Sequence, residues 1–510
     1  MNATEQEQPA LIRFLLKPDC YDHPVEHIQL IETHISWIIL TGDYAYKIKK
    51  PLDLGFLDFS TLERRRFCCN EELRLNSRLA APIYLDVVPI TGSAEQPLIN
   101  GTGSVIEYAV RMVQFPQQAQ LDNMLANGEL ENHQIDAIAE RVAEFHQATD
   151  VAAKDSAFGD PEKVYYPVEE NFTQIRQHLH THAYDEQLAA LERWSQSTFE
   201  SLKQFFSRRK ADGFIRECHG DMHLRNLVWF DGEPLAFDCL EFNPALRWID
   251  TLSEVAFFFM DLQDRQQPEF AHRFLNRYLE RCGDYQGMQV FRFYLVYRAL
   301  VRAKVDAIRC GQPHITEAEK QGAEQEFLAY LELAQSYTRP EQPRLIITRG
   351  LSASGKSTLT RPLLESMGAI RIRSDIERKR LFGIQAGTDS SAEIEKGIYT
   401  AEAGVKTYER LHVLAGALID AGITVIVDAA FLKHEQRLPF RELARTKQVP
   451  FIILEFTATA DTLRQRIEAR ADDISDADLS VLEHQLATVE PMHEEELSSV
   501  ITIDTEKTFD

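Results

Sequence analysis

The chain has 510 residues, 44% hydrophobic and 26% charged, a globular balance with room for roughly two or three domains. Its formal net charge of -24 argues against broad nucleic-acid binding, which needs a positive surface, but leaves room for a small basic phosphate pocket. The seven cysteines form no C-x-x-C pair, and the most apolar run, Val255 to Met260, is far shorter than the roughly 20 residues of a membrane helix. A soluble chain in a reducing cytoplasm, with no membrane partner, is therefore expected.

Strands and turns come first. Ser36 to Leu40, then Thr41-Gly42-Asp43, then Tyr44 to Lys49 is a hairpin signal with glycine in the turn. Glu71 to Leu79 is expected to be a helix and Ser104 to Met112 a strand. From Ile135 onward helices dominate, with Ile135, Ile138, Ala139, Val142, Phe145 and His146 on one face. A β-rich lobe followed by a helical lobe leaves a cleft between them.

The densest motif of this half is His219-Gly220-Asp221-Met222-His223-Leu224-Arg225-Asn226, followed by Ala236-Phe237-Asp238-Cys239. In kinase-type loops an aspartate accepts the proton of the substrate hydroxyl, an asparagine five residues on binds Mg²⁺, and an aspartate on the next strand binds Mg²⁺ between the phosphates. Asp221, Asn226 and Asp238 fit that order, and an oxygen-rich set suits a hard cation. This stretch resembles the aminoglycoside phosphotransferase and choline kinase family, whose loop reads H-G-D-x-x-x-x-N. The resemblance covers about residues 25 to 335. It implies that Lys47, in Tyr44-Ala45-Tyr46-Lys47, pairs with the ATP phosphates and is held by a helical glutamate, Glu71 first and Glu72 as the alternative. Lys49 shares the strand face of Lys47 and is the rival lysine. Two features depart from the pattern: Thr33-His34-Ile35-Ser36 stands where a glycine-rich loop is expected, with Ser36 a candidate phosphate contact, and Glu241 ends Asp238-Cys239-Leu240-Glu241 with no D-F-G glycine.

A boundary is expected at Thr338 to Pro343, where two prolines stop a helical pattern running from about Thr316 to Gln335. Beyond it strands at Leu345–Thr348, Ala369–Ile372, Thr424–Asp428, Phe451–Phe456 and Val500–Ile503 alternate with helices, the pattern of a parallel, doubly wound sheet. Gly350-Leu351-Ser352-Ala353-Ser354-Gly355-Lys356-Ser357 fits G-x-x-x-x-G-K-[ST] between a strand and a helix opening at Thr358. Its backbone N–H groups would curl around phosphate, Lys356 would reach the β- and γ-phosphates, and Ser357 would hold Mg²⁺. Strand ends surround the ligand crevice of such sheets. Asp428 is placed to orient Mg²⁺, and Asp375 to take a proton from an attacking hydroxyl; a helix N-cap is the other reading of Asp375. Arg378 and Arg437 are candidates to hold an anionic group of the acceptor. From about Arg344 to Asp510 the chain resembles small-molecule and polynucleotide kinases of the P-loop superfamily. That resemblance implies Asp375 as the base and an arginine-rich lid, matched here by Arg464, Arg466 and Arg470.

Together the two halves resemble the fusions described as bifunctional aminoglycoside phosphotransferase/ATP-binding proteins, with an AAA-type, kinase-like second half. The expected fold is an α+β two-lobed protein-kinase-like domain over 1–337 (N-lobe to about 112, C-lobe from about 113), a linker at 338–343, and an α/β P-loop NTPase domain over 344–510. ATP and Mg²⁺ are the expected cofactors, and a hydroxyl-bearing small molecule the expected substrate. Two alternatives stand beside transfer at two sites: a catalytically weak first domain that senses and regulates, and 5′-hydroxyl polynucleotide kinase activity in the second.

Overall fold

The computed structural model describes residues 9–53, 55, 57–179, 181–312, 315–383, 400–469 and 479–507. Packing divides the chain into two compact units. One contains Met1–Ala137, Phe145–Asp160 and Lys210–Phe258; the other contains Ile138–Glu144, Pro161–Arg209 and Phe259–Asp510.

The first unit is built on six strands, β1 (Gln29–Glu32), β2 (Ser36–Leu40), β3 (Tyr44–Lys49), β4 (Tyr84–Ser93), β5 (Gln96–Ile99) and β6 (Val105–Val113), in spatial order β1-β2-β3-β6-β4-β5. The expected hairpin is β2–β3, with Gly42 at φ 101° in its turn and Ile38 opposite Lys47. Alternation along β3 sends Tyr46 and Ile48 into a core with Trp37, Ile39 and Val88. Lys47 and Lys49 lie on the opposite face. The expected helix at 71–79 is longer and earlier, Leu62–Asn76, because the Thr61 hydroxyl accepts the Arg64 N–H and starts it there. Its buried residues include Arg65, Cys68, Cys69, Glu72, Leu75 and Asn76, a spacing of three and four that makes one face. Further along, β7 (Ile215–Glu217) and β10 (Trp248–Asp250) pair, and β8 (Leu227–Phe230) and β9 (Glu233–Ala236) form a hairpin. Residues 218–226 and 237–247 connect these two pairs.

The second unit carries a five-stranded sheet whose neighbouring strands all pair in parallel, in order β12-β13-β11-β14-β15: β11 (Leu345–Arg349), β12 (Ile370–Arg373), β13 (Val425–Asp428), β14 (Phe451–Thr457) and β15 (Val500–Asp504). Each lies within a residue or two of its expected position. Ile346, Leu364, Ala369, Ile426, Leu454 and Phe456 form its core. The helix ahead of the expected linker ends at Thr338, and no regular element lies between it and Leu345. Packing groups the helices Pro268–Cys282, Met288–Cys310 and Glu317–Thr338 with this sheet, because Pro268–Cys282 lies against Lys356–Met367 and β12. Among the described residues no helix is long and apolar enough to cross a membrane.

Candidate active sites

In the first unit, Lys47 is buried on β3. Its ammonium donates to Glu72 Oε1 at 2.8 Å and pairs with Asp238. Lys49 donates to Glu72 Oε2 at 2.7 Å and pairs with Glu241. Glu72 is thus shared by both lysines, and its exposure is 0%. Burial would raise its pKa, but Lys47 and then Lys49 hold it down to about 2. Burial would lower the Lys47 pKa, but Asp238 and Glu72 more than offset it and hold Lys47 charged. Glu241 responds in the opposite sense to Glu72: burial pushes its carboxyl up, against the pull of Lys49.

The expectation for Glu71 is corrected here. Glu71 pairs with Arg74 at 2.9 Å, because it lies outside the buried helix face that brings Glu72 under β3. Ser36, the candidate phosphate contact, is fully buried on β2, opposite Lys49. Sequence reasoning assigned Glu241 no role beyond closing the altered D-F-G stretch; its pairing with Lys49 appears only in the structure.

The 219–226 loop holds the remaining candidates. Asn226 Nδ2 donates to the Asp221 carbonyl at 2.9 Å and to Asp221 Oδ2 at 3.0 Å, so the amide orients the carboxylate. His223 Nε2 stands 3.4 Å from the same oxygen. The loop is anchored from beneath: the Gly220 N–H donates to Glu254 Oε2 at 2.6 Å, and His146 meets Glu254 Oε1 at 2.9 Å. Gly220 has φ 91°, and a Cβ there would lie 2.8 Å from the Leu246 carbonyl, so only glycine fits. Asp238 also sits at positive φ, 64°, and its N–H donates to the Tyr84 hydroxyl at 3.1 Å. A non-glycine residue held there is backbone strain of the kind found at functional positions.

The second unit contains a cavity of about 410 Å³ lined by Ser352, Ala353, Ser354, Gly355, Lys356, Ser357 and Thr358, and by Asp375, Arg378 and Asp428. Gly350 and Leu351 shape it through their carbonyls, which accept from Lys356 Nζ at 2.9 and 2.8 Å. Ser357 Oγ donates to Asp428 Oδ2 at 2.8 Å. Asp375 stands in the first turn of the helix Ser374–Leu381, whose N-cap is Arg373, so Asp375 is not that cap. Arg361, Arg371, Arg373 and Tyr408 line the same cavity and were not singled out from sequence. The alternation Ile370-Arg371-Ile372-Arg373, a strand carrying two arginines in a buried sheet, was the available signal.

Arg437 does not serve the acceptor role expected of it. It has 0% exposure, donates to Glu496 at 2.7 and 2.9 Å, and donates to the Phe431 carbonyl at 3.0 Å. A guanidinium so committed holds the fold and is shut off from ligand. Arg466 is tied down as well, donating to the Ala353 carbonyl at 3.3 Å and to Thr505 at 2.8 and 2.9 Å, so it braces the P-loop. Arg464 is partly exposed and pairs with Glu483 and Asp461. Arg470 lies outside the described residues.

Comparison with known proteins assigns the two candidate sites to two families. The profile of the phosphotransferase enzyme family matches residues 98–294, and that of an AAA domain matches residues 345–492. The uncharacterized protein Rv2004c of Mycobacterium tuberculosis is 31% identical over 461 residues, which cover 90% of each chain. The chain belongs to the family of this mycobacterial protein. The chain joins a phosphotransferase domain to a P-loop domain and is an ATP-dependent phosphotransferase. The phosphotransferase match takes in Asp221, Asn226 and Asp238 but starts after Lys47 and Glu72. Among solved structures, amicoumacin kinase hAmiN in complex with AMP-PNP is 12% identical, covering 65% of this chain and 96% of its own, at a TM-score of 0.40. A sugar kinase from Janibacter sp. is 24% identical, covering 32% of this chain and 87% of its own, at a TM-score of 0.26.

Proposed function

We propose that the chain transfers the γ-phosphoryl group of ATP at two separate sites, each to a hydroxyl acceptor. The observation that carries the reading is the recurrence of one functional set. A lysine for phosphate, a carboxylate for a cation and a second carboxylate for a proton occur as Lys47, Asp238 and Asp221, and again as Lys356, Asp428 and Asp375.

In the second site the P-loop backbone and Lys356 bind the phosphates. Asp375 takes the proton of the acceptor hydroxyl as its oxygen bonds to the γ-phosphorus and ADP leaves. Arg373 and Arg378 line the same cavity as Asp375, so the acceptor is a small molecule that carries an anionic group near its hydroxyl. In the first site Asp221, oriented by the Asn226 amide, takes the proton, and Lys47, fixed by Glu72, meets the nucleotide phosphates. Mg²⁺ fits both donor sets, Asn226 with Asp238 and Ser357 with Asp428, since all offer oxygen to a hard cation. When bound it neutralises charge between the phosphates.

The test is a panel of hydroxyl metabolites, with and without anionic groups, incubated with γ-labelled ATP and three proteins: wild type, Asp221→Ala and Lys356→Ala. Each variant should lose a different labelled product. An unchanged product set in either variant would exclude two working sites. A second reading, in which the first site binds nucleotide without transfer, draws on the direct Lys47–Asp238 ion pair, which ties two of its groups to each other. Calorimetric ATP binding that survives Lys356→Ala, with no product lost in Asp221→Ala, would favour it.

A further inference from the structure

Helix Pro268–Cys282 and the P-loop sheet belong to the same compact unit. The helix itself falls within the stretch that matches the phosphotransferase family, 98–294. Three of its side chains reach toward β12. Asn276 Nδ2 donates to the Ala369 carbonyl at 2.9 Å, and its Oδ1 accepts the Arg371 N–H at 2.9 Å. A single side-chain amide thereby pairs with the β12 backbone as another strand would. His272 packs over Gly368, where a Cβ would come within 2.9 Å of its ring at φ 64°. Glu280 takes the guanidinium of Arg371: Nη2 donates to Oε1 at 2.9 Å and Nε to the same oxygen at 3.3 Å.

The other edge of that guanidinium is turned to the phosphate site. Arg371 Nη1 donates to the Ser357 carbonyl at 2.8 Å and to Thr360 Oγ1 at 3.3 Å, and Arg371 lines the P-loop cavity. Ser357 is the residue whose hydroxyl meets Asp428. Glu280, Arg371 and Asn276 are each about 5% exposed, so water does not screen the chain of contacts. Without Glu280 the long arginine side chain would lose its charged partner on the Nε–Nη2 edge, and its grip on the first turn of the P-loop helix would loosen.

We propose that Glu280, supplied by the phosphotransferase segment, is a positioning residue for the P-loop site, acting through Arg371 on Ser357. The inference rests on the reading of that site as an ATP site. The P-loop half is then incomplete without a helix of its fusion partner, which gives the two halves a reason to travel in one chain.

The test uses the full chain and a fluorescent methylanthraniloyl-ATP with Mg²⁺, following the component of binding that Lys356→Ala removes. Glu280→Ala should weaken that component by about tenfold, the scale of lost outer-shell support. Glu280→Gln should restore it to within about threefold, because both contacts from Arg371 fall on one oxygen that the amide retains. In an Arg371→Met background Glu280→Ala should add nothing further. A Glu280→Ala protein with a lowered Tm but wild-type affinity would overturn the proposal, as would losses that add independently of Arg371. If Glu280→Ala does not fold, Arg371→Lys carries the test: it keeps the charge but loses the fork, and wild-type affinity there would equally overturn it. If Lys356→Ala removes no component at all, the ATP-site reading fails instead.

Discussion

Glu72 Oε1 lies 2.8 Å from Lys47 Nζ, on a helix where the adjacent Glu71 turns away to Arg74. The difference predicts unequal effects. Glu72→Gln should lower kcat/KM of the Asp221-dependent activity by about a hundredfold, the upper range for groups that orient a functional side chain. Glu71→Gln should stay within about twofold. Steady-state kinetics on the two variants decides it, and an equal loss in both would remove the assigned helix register.

At the second site, Arg378→Met should raise KM for an anionic acceptor by about tenfold or more while leaving ATP affinity unchanged, since a charge-assisted contact is worth about 1.5–3 kcal/mol. Asp375→Asn should abolish turnover with little change in ATP binding. If Arg378→Met weakens ATP instead, the arginine belongs to the nucleotide and the acceptor assignment falls.

Acid should loosen the first unit through Glu254. Burial alone would raise its pKa from the ordinary 4.5, but the His146 contact and the Gly220 N–H hold it down to about 2. A depressed folded pKa adds stability that is present above the ordinary value and is lost as pH falls through the folded one. Wild type should therefore exceed Glu254→Gln by up to about 3 kcal/mol at pH 7, and the gap should close between about pH 4.5 and 2. Chemical denaturation of both proteins across that range measures it; a gap independent of pH would contradict the linkage.

Arg437 should prove structural. Arg437→Ala takes the guanidinium from buried Glu496 and leaves it only His434 Nδ1 at 3.5 Å and the His493 N–H at 2.9 Å, which should cost about 3–5 kcal/mol. Arg437→Met combined with Glu496→Leu should recover part of that loss, because no lone charge remains. The kinetic constants of the folded Arg437→Ala protein should stay near wild type; a specific rise in acceptor KM would return Arg437 to the site.

The local patterns that carry chemistry are legible in the amino-acid sequence alone. The G-x-x-x-x-G-K-S stretch, the Asp221–Asn226 spacing and the β–α alternation after Leu345 depend on neighbours along the chain. They form where expected because backbone geometry and strand burial act over a few residues. Which of two adjacent glutamates meets Lys47 is not legible in that way. One residue turns a helix by about 100°, and only the packing of Leu62–Asn76 against β6 and β4 turns Glu72 to the lysines of β3. Arg437 and Arg378 are likewise equivalent as letters. Tertiary structure buries one against Glu496 and lines the cavity with the other. Glu280 and Arg371, separated along the chain and carrying no motif, meet because one helix of the first half packs on a strand of the second. Such contacts are decided by which surfaces the whole chain must bury, and no short stretch of sequence contains that information.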